Sequence, residues 1–178
     1  MKNLKYVSLL LMVLLLNISC KDETSIQQFY VDSENNDDYL MIDIPTSIVS
    51  LPDSATPEAK QAYNSIDKVN LLAFKINETN KANFQTEKTK VLNILKNPSY
   101  IELMRVNSNG RKVIAKYVGS EDHMEEALIF VSDNNQGFAL ARVLGDDMKP
   151  ENMIKLLNSI QNIDKDSEVF SKVERFFK

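Results

Sequence analysis

The sequence predicts an α+β fold, a single two-layer sandwich with a largely antiparallel sheet and helices on one face. Two observations lead to this class. Short alternating runs in the second half are separated by turn residues at Asn107–Gly110 and at Asp133–Gly137, so neighbouring strands must run antiparallel. Helical patterns separate the earlier strands, where helices can cover the sheet. A chain of 178 residues fits one globular domain, which is predicted over residues 38–178.

The first half of this domain is predicted to alternate strands with helices. Thr56 and Pro57 have the chemistry of an N-cap and a first helical residue. Pro98 ends the second helix, because a proline disfavours helical geometry in the residue before it. In chain order the predicted elements are a strand at Tyr39–Ile44, a short turn or helix at 45–51, a helix from Pro57, a strand at Val69–Ile76 and a helix over Thr79–Asn97.

The second half is predicted to form two hairpins followed by helical segments. Lys112 and Lys116 alternate with apolar residues, so one face of their strand is expected to be wet. Pro150 opens a helix with apolar residues at core spacing, and the tail from Asp164 to Lys178 is expected to add a short amphipathic helix. The predicted strands are Tyr100–Val106, Lys112–Val118, Glu126–Val131 and Phe138–Leu144.

Residues 1–19 predict a lipoprotein signal peptide. Two lysines precede the apolar run Tyr6–Leu16, whose eleven residues are too few for a transmembrane helix of about 20 residues. The following L-N-I-S-C, Leu16–Cys20, resembles the lipobox of bacterial lipoproteins, whose cysteine receives acyl chains such as palmitate. Cys20 is therefore predicted to become the lipidated first residue, and the polar residues 20–37 a lipidated flexible tether. The alternative is an ordinary secretory signal with a coincidental cysteine.

The residues behind Cys20 bear on location. Lys21, Asp22 and Glu23 resemble the export signal of Bacteroidetes lipoproteins, which directs them to the outside of the outer membrane. The alternative is that a tether is simply polar and charged. We expect a lipid-anchored protein of the cell envelope, at the outer membrane, and both the surface-exposed and the periplasm-facing orientation stay open.

Composition excludes several kinds of site. Removing residues 1–19 leaves 19 basic and 25 acidic residues, a net charge of -6, which argues against nonspecific nucleic-acid binding. Cys20 is the single cysteine, so the chain can form neither an internal disulfide nor a thiolate zinc cluster. His123, the single histidine, lies in the charged run S-E-D-H-M-E-E and is expected to be a solvated loop residue. We predict no catalytic residue, no metal site and no cofactor.

Several segments together carry a family resemblance. They are E-L-M-R-V (Glu102–Val106), K-V-I-A-K-Y-V, A-L-I-F-V and A-R-V-L-G-D-D (Ala141–Asp147). The chain resembles, over roughly residues 38–160, the family catalogued as domain of unknown function 4252, small lipoproteins largely from Bacteroidetes. The resemblance implies a lipoprotein of unknown biochemistry, and the family offers no catalytic residues to carry over.

The function expected from these features is non-catalytic binding. An anchor, a tether and a small domain suit a module that binds the membrane through its lipid and an envelope protein through its fold. One alternative is an envelope sensor or regulator linked to a sigma-factor pathway, which neighbouring genes would indicate. A hydrolase that uses carboxylates alone is the other alternative, since paired carboxylates depend on a separation in space that a sequence does not reveal.

Overall fold

The computed structural model describes residues 25–159, 162–163 and 166–177. Five α-helices and eight strands are found in this part of the chain. The helices are α1 (Ile26–Ser33), α2 (Pro57–Asn64), α3 (Lys81–Ile94), α4 (Pro150–Ser159) and α5 (Glu168–Phe177). The strands are β1 (Tyr39–Ile44), β2 (Val49–Ser50), β3 (Ile66–Lys75), β4 (Ile101–Ser108), β5 (Arg111–Gly119), β6 (Met124–Asp133), β7 (Gly137–Met148) and β8 (Asn162–Ile163).

Six strands form the main sheet in the order β1-β3-β7-β6-β5-β4. Every neighbouring pair is antiparallel, so β1 and β4 are the two edges. The short strands β2 and β8 pair separately, and a 3-10 helix, Thr46–Ile48, precedes β2. The predicted α+β class and the antiparallel sheet are confirmed.

Local chemistry explains where the helices and turns begin. The side chain of Ser25 accepts a hydrogen bond from the backbone of Gln28 and caps α1, and Thr56 caps α2 in the same way. Asn109 and Gly110 both have positive φ, +49° and +81°, which fits a two-residue type I′ hairpin between β4 and β5. The predicted N-cap at Thr56 and the hairpin turn at Asn107–Gly110 are therefore confirmed.

One face of the sheet, here called the front face, carries the larger core under α1 and α3. Phe74 and Phe138 stack there with ring centroids 5.4 Å apart, and both side chains are at most 2% exposed. The helices add apolar residues from above. The buried cluster is Ile26, Phe29, Leu72, Phe74, Phe84, Val91, Ile94, Leu95, Ile114, Leu128, Phe130, Phe138 and Leu140.

The opposite, back face carries a smaller core under α2 and α4. Val69 and Val143 are paired partners and point away from their neighbours Leu72 and Leu140, because side chains alternate along a strand. The buried cluster on this face is Ala62, Tyr117, Met124, Ala127, Val143, Met148, Met153 and Leu156. Helices thus lie on both faces, where the sequence predicted them on one.

Two further predictions differ from the structure. The tether predicted over residues 20–37 is wrong for residues 26–33, which form α1; Ile26 and Phe29 are buried at 0% and 3% exposure. The wet face predicted for β5 is wrong at Lys116, which is 9% exposed and donates to the backbone oxygen of Tyr100 over 3.1 Å. In both cases packing between distant segments overrides a polar local composition.

Candidate functional site

The back face continues beyond its helices as two apolar rows that cross the whole sheet. Residues paired between neighbouring strands point to the same side, so the pairing register assigns each row. The first row is Leu40, Ala73, Ala139, Val131, Val113 and Val106. The second row is Ile42, Leu71, Ala141, Ile129, Ala115 and Met104. We call these twelve residues the open rows; Ala73 and Ala115 within them are buried, at 0% and 5% exposure.

The open rows are most accessible at their β4–β6 end. Met104 is 45% exposed, Val106 46% and Val131 41%, so nothing in the described part of the chain covers them. The neighbouring row, which includes Tyr117 and Val143, is buried with α2 and α4. Contiguous exposed apolar side chains beside a buried core are typical of a surface that binds another molecule.

The two edges of the sheet differ. The helix α5 lies against β1, and Pro45 follows that strand directly. In contrast, β4 has eight residues, seven of them exposed, and pairs with β5 alone among the described strands. The free edge of β4 therefore borders the most accessible part of the open rows.

The front face contains a cleft of about 740 Å³ between α1, α3 and the segment that follows α3. Inside it, the hydroxyl of Tyr39 donates to Glu87 over 2.8 Å, and Lys90 forms an ion pair with the same carboxylate at 2.8 Å. Burial and the hydrogen bond to Glu87 both raise the pKa of Tyr39. The polar groups at this position of the cleft therefore satisfy one another.

A polar cluster lies deeper on the front face, next to α1. Arg142 donates to Glu126 over 2.6 Å, and the hydroxyl of Tyr30 lies 2.9 Å from the backbone oxygen of Leu140. Burial is the main cause that raises the pKa of Tyr30, and the negative charge of Glu126 adds to it. Burial also raises the pKa of Tyr100. These contacts fix α1 onto the sheet.

Of the residues singled out in the sequence, some lie outside the described part of the chain and others within it. Cys20, Lys21, Asp22 and Glu23, the predicted lipidation site and export signal, lie outside the described residues. His123 is exposed in the turn between β5 and β6, as predicted. In the described ranges no group of three or more His, Cys, Asp or Glu residues could hold a metal ion. No helix there is long and apolar enough to span a membrane.

The turn at Asp133–Gly137 also matches its prediction. Asp133 accepts hydrogen bonds from the backbone of Asn135 and Gln136 and pairs with Arg111 at 3.0 Å. The bond from Asn135 and the Arg111 guanidinium both lower the pKa of this carboxyl. These contacts are those of a structural turn.

Sequence reasoning missed the open rows. A signal was present, because A-L-I-F-V in β6 is apolar on both sides of the strand. What the pattern lacked was the strand order, which decides whether a second apolar side lies under a helix or at an open surface.

Comparison with known proteins identifies a family. The model of a family described as a domain of unknown function (DUF4252) matches residues 22–156. No curated protein and no solved structure matches the chain. Since the match covers most of the chain, the protein belongs to this family.

Proposed function

We propose that this member of the DUF4252 family is a lipid-anchored, non-catalytic module that binds another protein of the cell envelope through the open rows. The exposed end of these rows carries the proposal. Met104 and Val106 lie on β4 and Val131 lies on β6, with β5 between these two strands in the same sheet. A partner that covers them removes apolar surface from water at about 25 cal/mol per Å².

The anchor belongs to the same proposal. Cys20 carries the lipid, and the Lys21–Glu23 run directs the protein to the outer membrane. Since α1 begins at Ile26, six residues after Cys20, the domain starts within about 20 Å of the lipid even if that segment is fully extended. Attachment by several acyl chains is durable, because each buried CH₂ adds about 0.8 kcal/mol.

A capture experiment tests the binding surface. The tagged full-length chain is expressed in its own cells, crosslinked, and recovered from detergent-solubilised envelopes. Val131→Lys places a charge within the open rows and is expected to reduce recovery of a specific protein partner about ten-fold or more, since a charge buried at an interface is costly. Ile154→Lys is the matched control, because Ile154 on α4 is 48% exposed and lies outside the open rows.

Two results would contradict the proposal. One is that no protein is recovered specifically with the unchanged chain. The other is that Val131→Lys and Ile154→Lys retain the same partner equally well. The anchor is tested separately by metabolic labelling with a fatty acid, which Cys20→Ser is expected to abolish. Protease shaving of intact cells then distinguishes a surface-exposed domain from one that faces the periplasm.

A further inference from the structure

The free edge of β4 offers a second kind of contact, one made by the backbone. An edge strand presents unpaired N–H and C=O groups that another strand can satisfy, and proteins usually block such edges with proline, charged side chains (lysine above all), bulges or a covering element. The β4 sequence I-E-L-M-R-V-N-S contains neither proline nor lysine, and its two charged residues, Glu102 and Arg105, form an ion pair with each other. Its one bulge lies between Glu102 and Met104, which leaves a regular stretch from Met104 to Ser108.

The hairpin determines which residues of this stretch face outwards. In a two-residue turn, residues Ser108 and Arg111 are joined by the hydrogen bond that closes the turn. Along an antiparallel ladder, bonded and non-bonded pairs alternate. Val106 therefore bonds to β5, whereas Arg105 and Asn107 direct their N–H and C=O groups to the free side.

We propose that a second copy of this chain pairs with β4 along this edge, antiparallel and with a two-fold axis at Val106. Strand length and charge favour this register. With the axis at Asn107, Arg105 would face Asn109, which lies in the turn outside β4. With the axis at Arg105, two arginines would face each other, and like charges directly opposite are destabilising. With the axis at Val106, each Arg105 faces Asn107 of the other copy, and both of these residues have their backbone groups available.

The side chains of β4 also permit the approach. Arg105 and Glu102 form an ion pair at 2.5 Å on the front side of the strand, so Arg105 needs no carboxylate from the other copy. On the back side, Val106 faces Val106, and the first open row continues from one copy into the other. Pairing thus yields a twelve-stranded sheet that presents the exposed ends of both sets of open rows side by side.

Cysteine crosslinking of the full-length chain in its own cells tests this arrangement. Residues opposite each other in a non-bonded pair have Cα atoms about 4.5 Å apart, within disulfide range. Val106→Cys is expected to give about ten-fold more disulfide dimer than Val131→Cys. Val131 is almost equally exposed, but the two Val131 positions would be about 24 Å apart across five strand spacings. The chain without either substitution is the control, because any disulfide dimer that it forms must involve Cys20, its single cysteine.

A second pair of variants separates strand addition from other contacts. In the Val106→Cys background, Arg105→Pro removes an outward N–H but no bond to β5, and is expected to abolish the dimer. Arg105→Ala removes the same side chain but keeps the N–H, and is expected to retain it. The circular dichroism of both variants should match that of the parent.

Three outcomes would overturn the proposal. The first is equal dimer from Val106→Cys and Val131→Cys when both thiols react with a maleimide. The second is a Val106→Cys product that contains a different protein. The third is a dimer that survives Arg105→Pro. The proposal does not depend on the partner-binding role of the open rows, since Val131→Lys is expected to leave the Val106→Cys dimer unchanged.

Discussion

The two faces of the sheet are built from the same strands, but helices cover them to different extents. On the front face, α1 and α3 seal an aromatic core around Phe74 and Phe138. On the back face, α2 and α4 cover one end, and the open rows continue to Met104 and Val106 at the other. The front-face core is buried, whereas the β4–β6 end of the back face is exposed, so substitutions at the two places should differ in their effect on stability.

The largest difference between the faces should appear on truncating a front-face aromatic. Phe74 is fully buried, so Phe74→Ala is expected to lower the free energy of unfolding by about 3–5 kcal/mol through the cavity it leaves. Urea denaturation measures this change. Val131→Ala on the open rows is the control and should cost well under half as much; equal costs would mean that the back face is not open.

Removing one member of the Glu126–Arg142 pair should have the next largest effect. Oε1 of Glu126 and Nε of Arg142 are buried without a hydrogen-bond partner among the described residues. Glu126→Leu leaves the arginine unpaired and is expected to cost about 2–3 kcal/mol. The double variant Glu126→Leu/Arg142→Leu should recover most of this loss. If its loss in the free energy of unfolding equals the sum of the losses of the two single variants, the pairing is contradicted.

Alkaline pH should weaken the contact between α1 and the sheet. Because burial raises the pKa of Tyr30 above the value of 10.0 that it has when unfolded, the unfolded chain releases this proton first. The stability that the protonated Tyr30 hydroxyl contributes is complete below pH 10. Above pH 10 the free energy of unfolding falls by about 1 kcal/mol per pH unit. Denaturation at pH 9, 10 and 11 should show a shallower decline for Tyr30→Phe, and an unchanged slope would be evidence against burial of this hydroxyl.

The smallest effect should come from a nearly isosteric change on the open rows. Val131→Thr is expected to alter the free energy of unfolding by no more than about 0.5 kcal/mol, since the hydroxyl stays in water. Val91→Thr is the matched change at a fully buried position of α3 and should cost about 1–3 kcal/mol. A large loss for Val131→Thr would indicate that this position is covered.

Local signals in the sequence were enough to predict most elements. The hairpin at Asn109–Gly110, the cap at Thr56 and the strand at Tyr39–Ile44 depend on neighbouring residues, and the structure confirms them. Helix α1 was missed because Ile26 and Phe29 stand in an acidic, polar context, although Ser25 and the spacing of the two apolar residues were a usable signal.

Contacts between distant residues could not be predicted in the same way. Glu126 and Arg142 meet only because β6 and β7 are neighbours in this register, and Lys116 reaches Tyr100 only because β4 lies beside β5. The open rows likewise follow from the strand order. Each of these features needs the pairing of the whole sheet, which no local pattern specifies.

Oxidation of Met104 tests the central claim most directly. Met104 is 45% exposed on the open rows, whereas Met124 is fully buried in the back-face core. Hydrogen peroxide converts accessible methionine to its sulfoxide, which mass spectrometry quantifies for each residue. Buried Met124 should stay unoxidised as long as the fold is intact, and the same peroxide exposure is applied in both settings. If a partner covers the open rows, Met104 should oxidise readily in the purified protein and be protected in intact cells. Equally rapid oxidation in both settings would contradict a bound partner.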